Sequence, residues 1–201
     1  MSISLVRQKA PDFTAAAVLA DGQITQYNLG KAIAGKYALI FFYPLDFTFV
    51  CPTELIALDH RIGEFKDRNV EVVGISIDSE HTHSAWRNTP IEKGGIGPLR
   101  YTLVADIKHE ISRAYGVEHP EIGVSLRGAF LIDREGIVRS MIVNDLPIGR
   151  NIDELLRLVD ALEFSDNHGD VCPAGWQKGN QAMKASSQGV RDYLAANAEA
   201  L

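Results

Sequence analysis

Residues 37–66 read YALIFFYPLDFTFVCPTELIALDHRIGEFK, and this stretch decides the fold. Its first part, Tyr37 to Tyr43, is apolar throughout and rich in aromatic and branched side chains, the composition of a short strand covered on both faces. From Cys51 to Lys66 the apolar positions Leu55, Leu58, Ile62 and Phe65 recur at three- and four-residue steps, which predicts one helix with one buried face. Pro52 suits the first helical position, and Glu54 stands where a capping-box carboxylate would. A strand that feeds a helix across a short loop is the building unit of an α/β fold.

The flanking sequence repeats that unit. Val70 to Ile77, Thr102 to Ala105, Gly128 to Ile132 and Ile137 to Val143 read as further strands, the last two joined by the polar turn Asp133-Arg134-Glu135-Gly136. Ser79 caps a helix that runs to Thr89 and stops before Pro90, and a shorter helix from His109 to Tyr115 ends at Gly116. Leu155, Leu156, Val159 and Leu162 mark a helix over Ile152 to Glu163. From Ser165 to Asn180 neither period holds, and Gly169, Pro173, Gly175 and Gly179 predict an irregular segment before a helical pattern resumes near Ser186. The expected organisation is a compact α/β domain over residues 1–163 and a C-terminal arm over residues 164–201.

Composition narrows the function. The chain has 201 residues, with 20 Lys plus Arg against 26 Asp plus Glu and a formal net charge of −6. That balance disfavours nucleic acid as a partner. The longest apolar run is too short for a bilayer, and Met1 to Phe13 lacks a signal-peptide core, so the expected compartment is the cytoplasm with no membrane partner. His81 and His83 lack further ligands for a metal site. Lys93-Gly94-Gly95-Ile96-Gly97 precedes Pro98 instead of opening a helix, so no nucleotide or flavin cofactor is expected. The remaining histidines offer no readable partner for a Cys-His hydrolase.

Two cysteines occur, Cys51 and Cys172. They are too few for a disulfide scaffold and too far apart for a CxxC pair. Cys51 falls at a predicted helix start, where unpaired N–H groups and the helix dipole favour a thiolate that can attack a disulfide, an acyl carbon or a peroxide oxygen. On these residues alone, a capping cysteine and a reactive one are equally good readings.

The surrounding residues separate them. The run Phe41-Phe42-Tyr43-Pro44-Leu45-Asp46-Phe47-Thr48-Phe49-Val50-Cys51-Pro52 resembles the active-site signature of the peroxiredoxins, Pro-x-x-x-Thr-x-x-Cys. His168-Gly169-Asp170-Val171-Cys172-Pro173-Ala174-Gly175-Trp176 resembles the resolving-cysteine motif of the typical 2-Cys subgroup, the alkyl hydroperoxide reductase C and thioredoxin peroxidase type. Arg127 to Asp133 and Val143 to Arg150 match family segments, in order and at the family's spacing.

The resemblance implies a thioredoxin-like fold and a thiol-dependent peroxidase acting on hydrogen peroxide and organic hydroperoxides. It implies that Cys51 becomes a sulfenic acid and that Cys172 of the partner subunit resolves it. Thr48 and Arg127 would bond the thiolate and the peroxide, Pro44 would wall the pocket, and Glu54 with Arg150 would fix the arginine network. The implied partners are a second copy in a homodimer, a ring expected to be a decamer, and a thioredoxin-like or dedicated disulfide reductase; no metal or cofactor is implied. A ring-forming holdase is the rival reading, and a general disulfide oxidoreductase is disfavoured by the missing CxxC.

Overall fold

Every residue of Tyr37–Phe42 is buried, and the computed structural model, which describes residues 4–200, places this strand inside a seven-stranded sheet. The strands are β1 (Thr14–Val18), β2 (Ile24–Asn28), β3 (Tyr37–Phe42), β4 (Val70–Ser76), β5 (Thr102–Ala105), β6 (Arg127–Ile132) and β7 (Val138–Asn144). The helices are α1 (Leu29–Ala32), α2 (Cys51–His60), α3 (Ile62–Asp67), α4 (Glu80–Asn88), α5 (Glu110–Ala114), α6 (Ile152–His168) and α7 (Ser187–Asn197). The strand order is β2-β1-β5-β4-β3-β6-β7. β3, β4 and β5 run parallel, and the other neighbours are antiparallel. The chain forms two compact units, one ending at Ile152 and one beginning at Asp153.

The five expected strands all form, each within one residue of the expected bounds. The hairpin β1–β2 was not expected. β1 is three alanines between Thr14 and Val18, and the first three residues of β2 are exposed, so neither shows an apolar run. Its sequence signal is Asp21-Gly22, where Gly22 takes φ +88°, the turn conformation that glycine adopts without steric cost.

Two helix expectations need correction. The helix expected over Cys51 to Lys66 is two helices, because Arg61 leaves helical geometry at φ −101° and ψ 5°. Arg100 donates to the Asp59 carbonyl there, the acceptor that a continuous helix would pair with the Gly63 N–H. The helix expected to stop at Glu163 continues to His168. Its last turn is polar and so carries no apolar period, and it ends at Gly169, whose φ is +71°. Ser79 caps its helix as expected, accepting from Thr82 N, and the helix expected near Ser186 starts with Ser186 accepting from Gly189 N.

In the first unit, alternate residues of β3 build two packed faces. Ala38, Ile40 and Phe42 join a buried cluster with Val73, Ile75, Tyr115, Phe130 and Ile132. The Phe42 ring lies 5.2 Å from Tyr115 and 5.8 Å from Phe130. Each such fully buried side chain contributes about 1.5–3 kcal/mol, which holds the carboxyl end of β3 rigid for the loop that follows. Among the described residues no helix is long and apolar enough to cross a membrane.

Candidate active site

The loop from β3 to α2 is held from beneath by buried polar groups. Tyr43 Oη donates to Asp46 Oδ1 at 2.8 Å, and His83 Nδ1 lies 2.7 Å from Asp46 Oδ2. His83 Nε2 lies 3.2 Å from the Val104 carbonyl, which can only accept, so Nε2 carries a proton. The Asp46 backbone N–H donates to Asp78 Oδ2 at 2.8 Å. Burial pushes the Asp46 carboxyl above its ordinary value, and the His83 contact opposes this. The loop pivots at Phe47, φ +54°, whose ring rests 5.7 Å from Trp86.

This anchoring delivers Thr48 to Cys51. Thr48 Oγ1 is 2.8 Å from the Leu45 carbonyl and 2.9 Å from Cys51 Sγ. A hydroxyl has one proton. When that proton goes to Leu45 O, the Cys51 S–H must donate to Oγ1; when Cys51 is a thiolate, the proton turns to sulfur. Cys51 is the first residue of α2 and is 1% exposed. Val50, in helical geometry, occupies the cap position without a side-chain bond.

Glu54 forms no capping box. It is buried, and its carboxylate takes four N–H bonds: from Arg127 Nη1 at 2.6 Å, and from Arg150 Nε at 2.8 Å, Nη2 at 3.0 Å and backbone N at 2.8 Å. Burial alone would raise the Glu54 carboxyl, but the Arg150 and Arg127 contacts hold it below its ordinary value. Arg127 also gives Nε to the Leu146 carbonyl at 2.7 Å, and its Nη1 stands 3.5 Å from Cys51 Sγ. Arg150 Nη1 donates to the Gly128 carbonyl at 2.6 Å. A buried carboxylate shared by two guanidiniums leaves one net positive charge beside the sulfur. Pro44 is buried at the start of the same loop.

Six of the seven residues singled out from the sequence thus lie in the first unit, and Thr48, Cys51, Glu54, Arg127 and Arg150 form one bonded network. Cys172 belongs to the second unit. Its Sγ is 3.5 Å from the Ala161 carbonyl, and burial pushes its thiol up, with the charge of Arg157 opposing. Both cysteines are free thiols. The support from Asp46 and His83 was missed; Asp46 lies inside the quoted loop, but nothing local shows that its partner is 37 residues away. His81 is exposed beside Glu80 while His83 is fully buried, so the two do not converge. Among the described residues no group of three or more His, Cys, Asp or Glu is placed to hold a metal ion. Trp86 and Trp176 are both buried, as packing residues should be.

A cysteine at a strand–helix junction, faced by a hydroxyl and a fixed cation and with no second thiol in its loop, defines a thiol-dependent oxidoreductase. Comparison with known proteins carries this further. Residues 6–141 match the AhpC/TSA family, and residues 161–196 match the C-terminal domain of 1-Cys peroxiredoxin. Alkyl hydroperoxide reductase C of Helicobacter pylori (strain ATCC 700392 / 26695) is 53% identical over 194 residues, covering 96% of this chain and 98% of that protein. Peroxiredoxin-1 of Gallus gallus is 49% identical over 191 residues, covering 95% and 96%. The reduced 2-Cys peroxiredoxin of Plasmodium vivax superposes with a TM-score of 0.93 at 50% identity, over 96% of this chain and 100% of that one. The chain belongs to the AhpC/TSA family of peroxiredoxins and alkyl hydroperoxide reductases, has their thioredoxin-like fold, and is a thiol-dependent peroxidase.

Proposed function

We propose that Cys51 is the nucleophile that reduces hydrogen peroxide and organic hydroperoxides, and that Thr48 and Arg127 aim and activate the peroxide. The observation that carries this is the placement of Cys51 Sγ 2.9 Å from Thr48 Oγ1 and 3.5 Å from Arg127 Nη1. The thiolate attacks the nearer peroxide oxygen, the O–O bond breaks, and the products are a Cys51 sulfenic acid and, after protonation, water or an alcohol. Arg127 keeps its proton throughout, so it stabilises the thiolate and the charge growing on the leaving oxygen alike. Glu54 and Arg150 hold that guanidinium in place, and buried Pro44 shields the sulfur from water.

Cys172 from a partner subunit then condenses with the sulfenic acid to give a disulfide and water. On this reading residues 1–163 are the peroxidase domain and residues 164–201 the arm that carries the second thiol. The assembly is a homodimer that closes into a ring, expected to be a decamer; one similar structure, from Plasmodium yoelii, is described as an artifactual octamer. A thioredoxin-like protein or a dedicated disulfide reductase returns the disulfide to thiols by exchange. Two cysteines, too few for a disulfide framework, fit a cytoplasmic protein. Peroxide consumption coupled to a thioredoxin system tests the reading: Cys51→Ser must abolish turnover, whereas a holdase role would survive it. Stopped-flow Trp fluorescence on mixing with peroxide reads the first step directly.

A further inference from the structure

One face of α6 carries Glu154, Arg157, Ala161, Phe164 and His168, spaced by alternating steps of three and four residues. This stripe seats the segment that contains Cys172. The Ala161 carbonyl accepts from Cys172 Sγ, the Phe164 ring lies 5.0 Å from Trp176, and His168 stacks on Phe164 at 4.3 Å. Arg157 Nη1 donates to the Trp176 carbonyl at 3.1 Å, while its Nε and Nη2 are clamped on Glu154 at 2.6 and 2.8 Å.

The segment is closed on itself as well. Val171 and Met183 exchange backbone bonds at 2.9 and 3.0 Å, and Trp176 Nε1 donates to the Asn180 carbonyl at 3.1 Å. It therefore lifts or stays as a piece. Beside the Arg157 bond, the Cys172 bond to α6 is a long sulfur contact, and the Lys178–Asp160 pair is 3.6 Å apart with its lysine well exposed. The Arg157 bond has a charged, planar donor whose orientation is already fixed by Glu154, which makes it the strongest of these.

We infer that Arg157 is a positioning residue of the resolving half-reaction: its bond to the Trp176 carbonyl latches the Cys172 segment onto α6 and so sets how the Cys51 sulfenic acid divides between two fates. This rests on reading Cys172 as the resolving thiol. In one fate Cys51–SOH and Cys172–SH condense to Cys51–S–S–Cys172 and water. In the other a second hydroperoxide oxidises Cys51–SOH to Cys51–SO₂H and is itself reduced to the alcohol. Condensation requires the segment to leave its seat, where burial also keeps the thiol less ready to ionise. The rate of capture then scales with how often the segment opens.

The test uses the full chain as wild type, Arg157→Gln and Arg157→Lys. Amide hydrogen exchange over residues 171–183 reads the opening, and intact mass after hydrogen peroxide at graded concentrations reads disulfide against sulfinic acid. Arg157→Gln is expected to lower exchange protection about tenfold, the scale of one hydrogen bond from a charged donor, and to raise the peroxide concentration for half-sulfinic yield by about the same factor. Arg157→Lys keeps the charge but cannot bridge both partners, so it falls between. Should Arg157→Gln fold poorly, Glu154→Gln, which unclamps the guanidinium, must shift both readouts in the same direction. Unchanged protection in Arg157→Gln overturns the latch, and lost protection with an unchanged half-sulfinic concentration overturns its control of the partition. Absence of any Cys51–Cys172 disulfide in the wild type would instead overturn the resolving role on which the latch depends.

Discussion

Glu54 Oε2 holds Arg127 Nη1 at 2.6 Å, and that same nitrogen stands 3.5 Å from Cys51 Sγ. The carboxylate therefore fixes the distance between a permanent charge and the Cys51 sulfur. Arg127→Ala is expected to lose about 2–4 kcal/mol of barrier lowering, a rate loss of about 30- to 1,000-fold, if the guanidinium acts like one oxyanion donor. Arg127→Lys keeps the charge but lacks the fork that reaches Leu146 O and Glu54 together, so it should remain well below wild type. Stopped-flow rates of Cys51 oxidation decide this, and an unchanged rate in Arg127→Ala would end the proposal.

Removing Glu54 leaves two buried guanidiniums without their shared counter-charge. Glu54→Ala should lower stability by about 3–5 kcal/mol, the cost of breaking a buried ion pair, measured by urea unfolding. The pH dependence has a definite sign. The folded Glu54 carboxyl lies below its ordinary 4.5, so its contribution is complete above that value and disappears as pH falls through the lower folded value. Glu54→Gln should flatten this part of the acid limb; an unaltered limb would show that the pair does not drive it.

Asp46 and His83 support the loop that presents Thr48. Asp46→Ala removes the acceptor of Tyr43 Oη and the partner of His83 Nδ1. It should cost about 1–3 kcal/mol for buried groups left unpaired, and it should also slow Cys51 oxidation, because Thr48 loses its fixed position. Thermal unfolding and single-turnover kinetics on the same sample test both halves. A stability loss without any rate loss would confine the pair to a packing role.

Peroxide treatment should convert the chain to a covalent dimer on non-reducing gels. Cys172→Ser should abolish that band, and so should Cys51→Ser. A monomeric band with an intrachain disulfide would contradict the intersubunit pairing.

At Gly95 a Cβ would stand 1.8 Å from the Thr89 carbonyl oxygen. The neighbour is backbone and cannot swing aside, so Gly95→Ala must displace the loop that follows α4, where Gly94 O accepts from Trp86 Nε1. Overpacking of this kind costs about 1–3 kcal/mol, and a thermal midpoint equal to wild type would show that the loop yields freely.

Local chemistry makes much of the molecule legible in its sequence. The unbroken apolar run of Tyr37–Phe42 could satisfy itself only inside a sheet, and the Pro-x-x-x-Thr-x-x-Cys spacing placed Thr48 within one helical turn of Cys51. Ser79 declared its helix start, because a capping bond reaches only three residues. β1 and β2 stayed hidden because alanines and exposed polar residues carry no period, and the break at Arg61 stayed hidden because the apolar period runs through it unbroken while Arg100, which bonds the Asp59 carbonyl there, lies some 40 positions away.

The sequence by itself determined the α/β order and placed Cys51 at a helix start, both of which follow from patterns spanning a few residues; the reading of Cys51 as the reactive thiol comes from the resemblance to the peroxiredoxins. Only the tertiary structure decided between the two readings of Glu54, a helix cap or a partner of Arg150, and only it brought Asp46 onto His83 and Arg157 to the Trp176 carbonyl. Each of these is a bond between charged or polar groups whose partners are chosen by which strands and helices become neighbours. Burial then makes the choice binding, since a charge removed from water must find its partner wherever the fold has placed it.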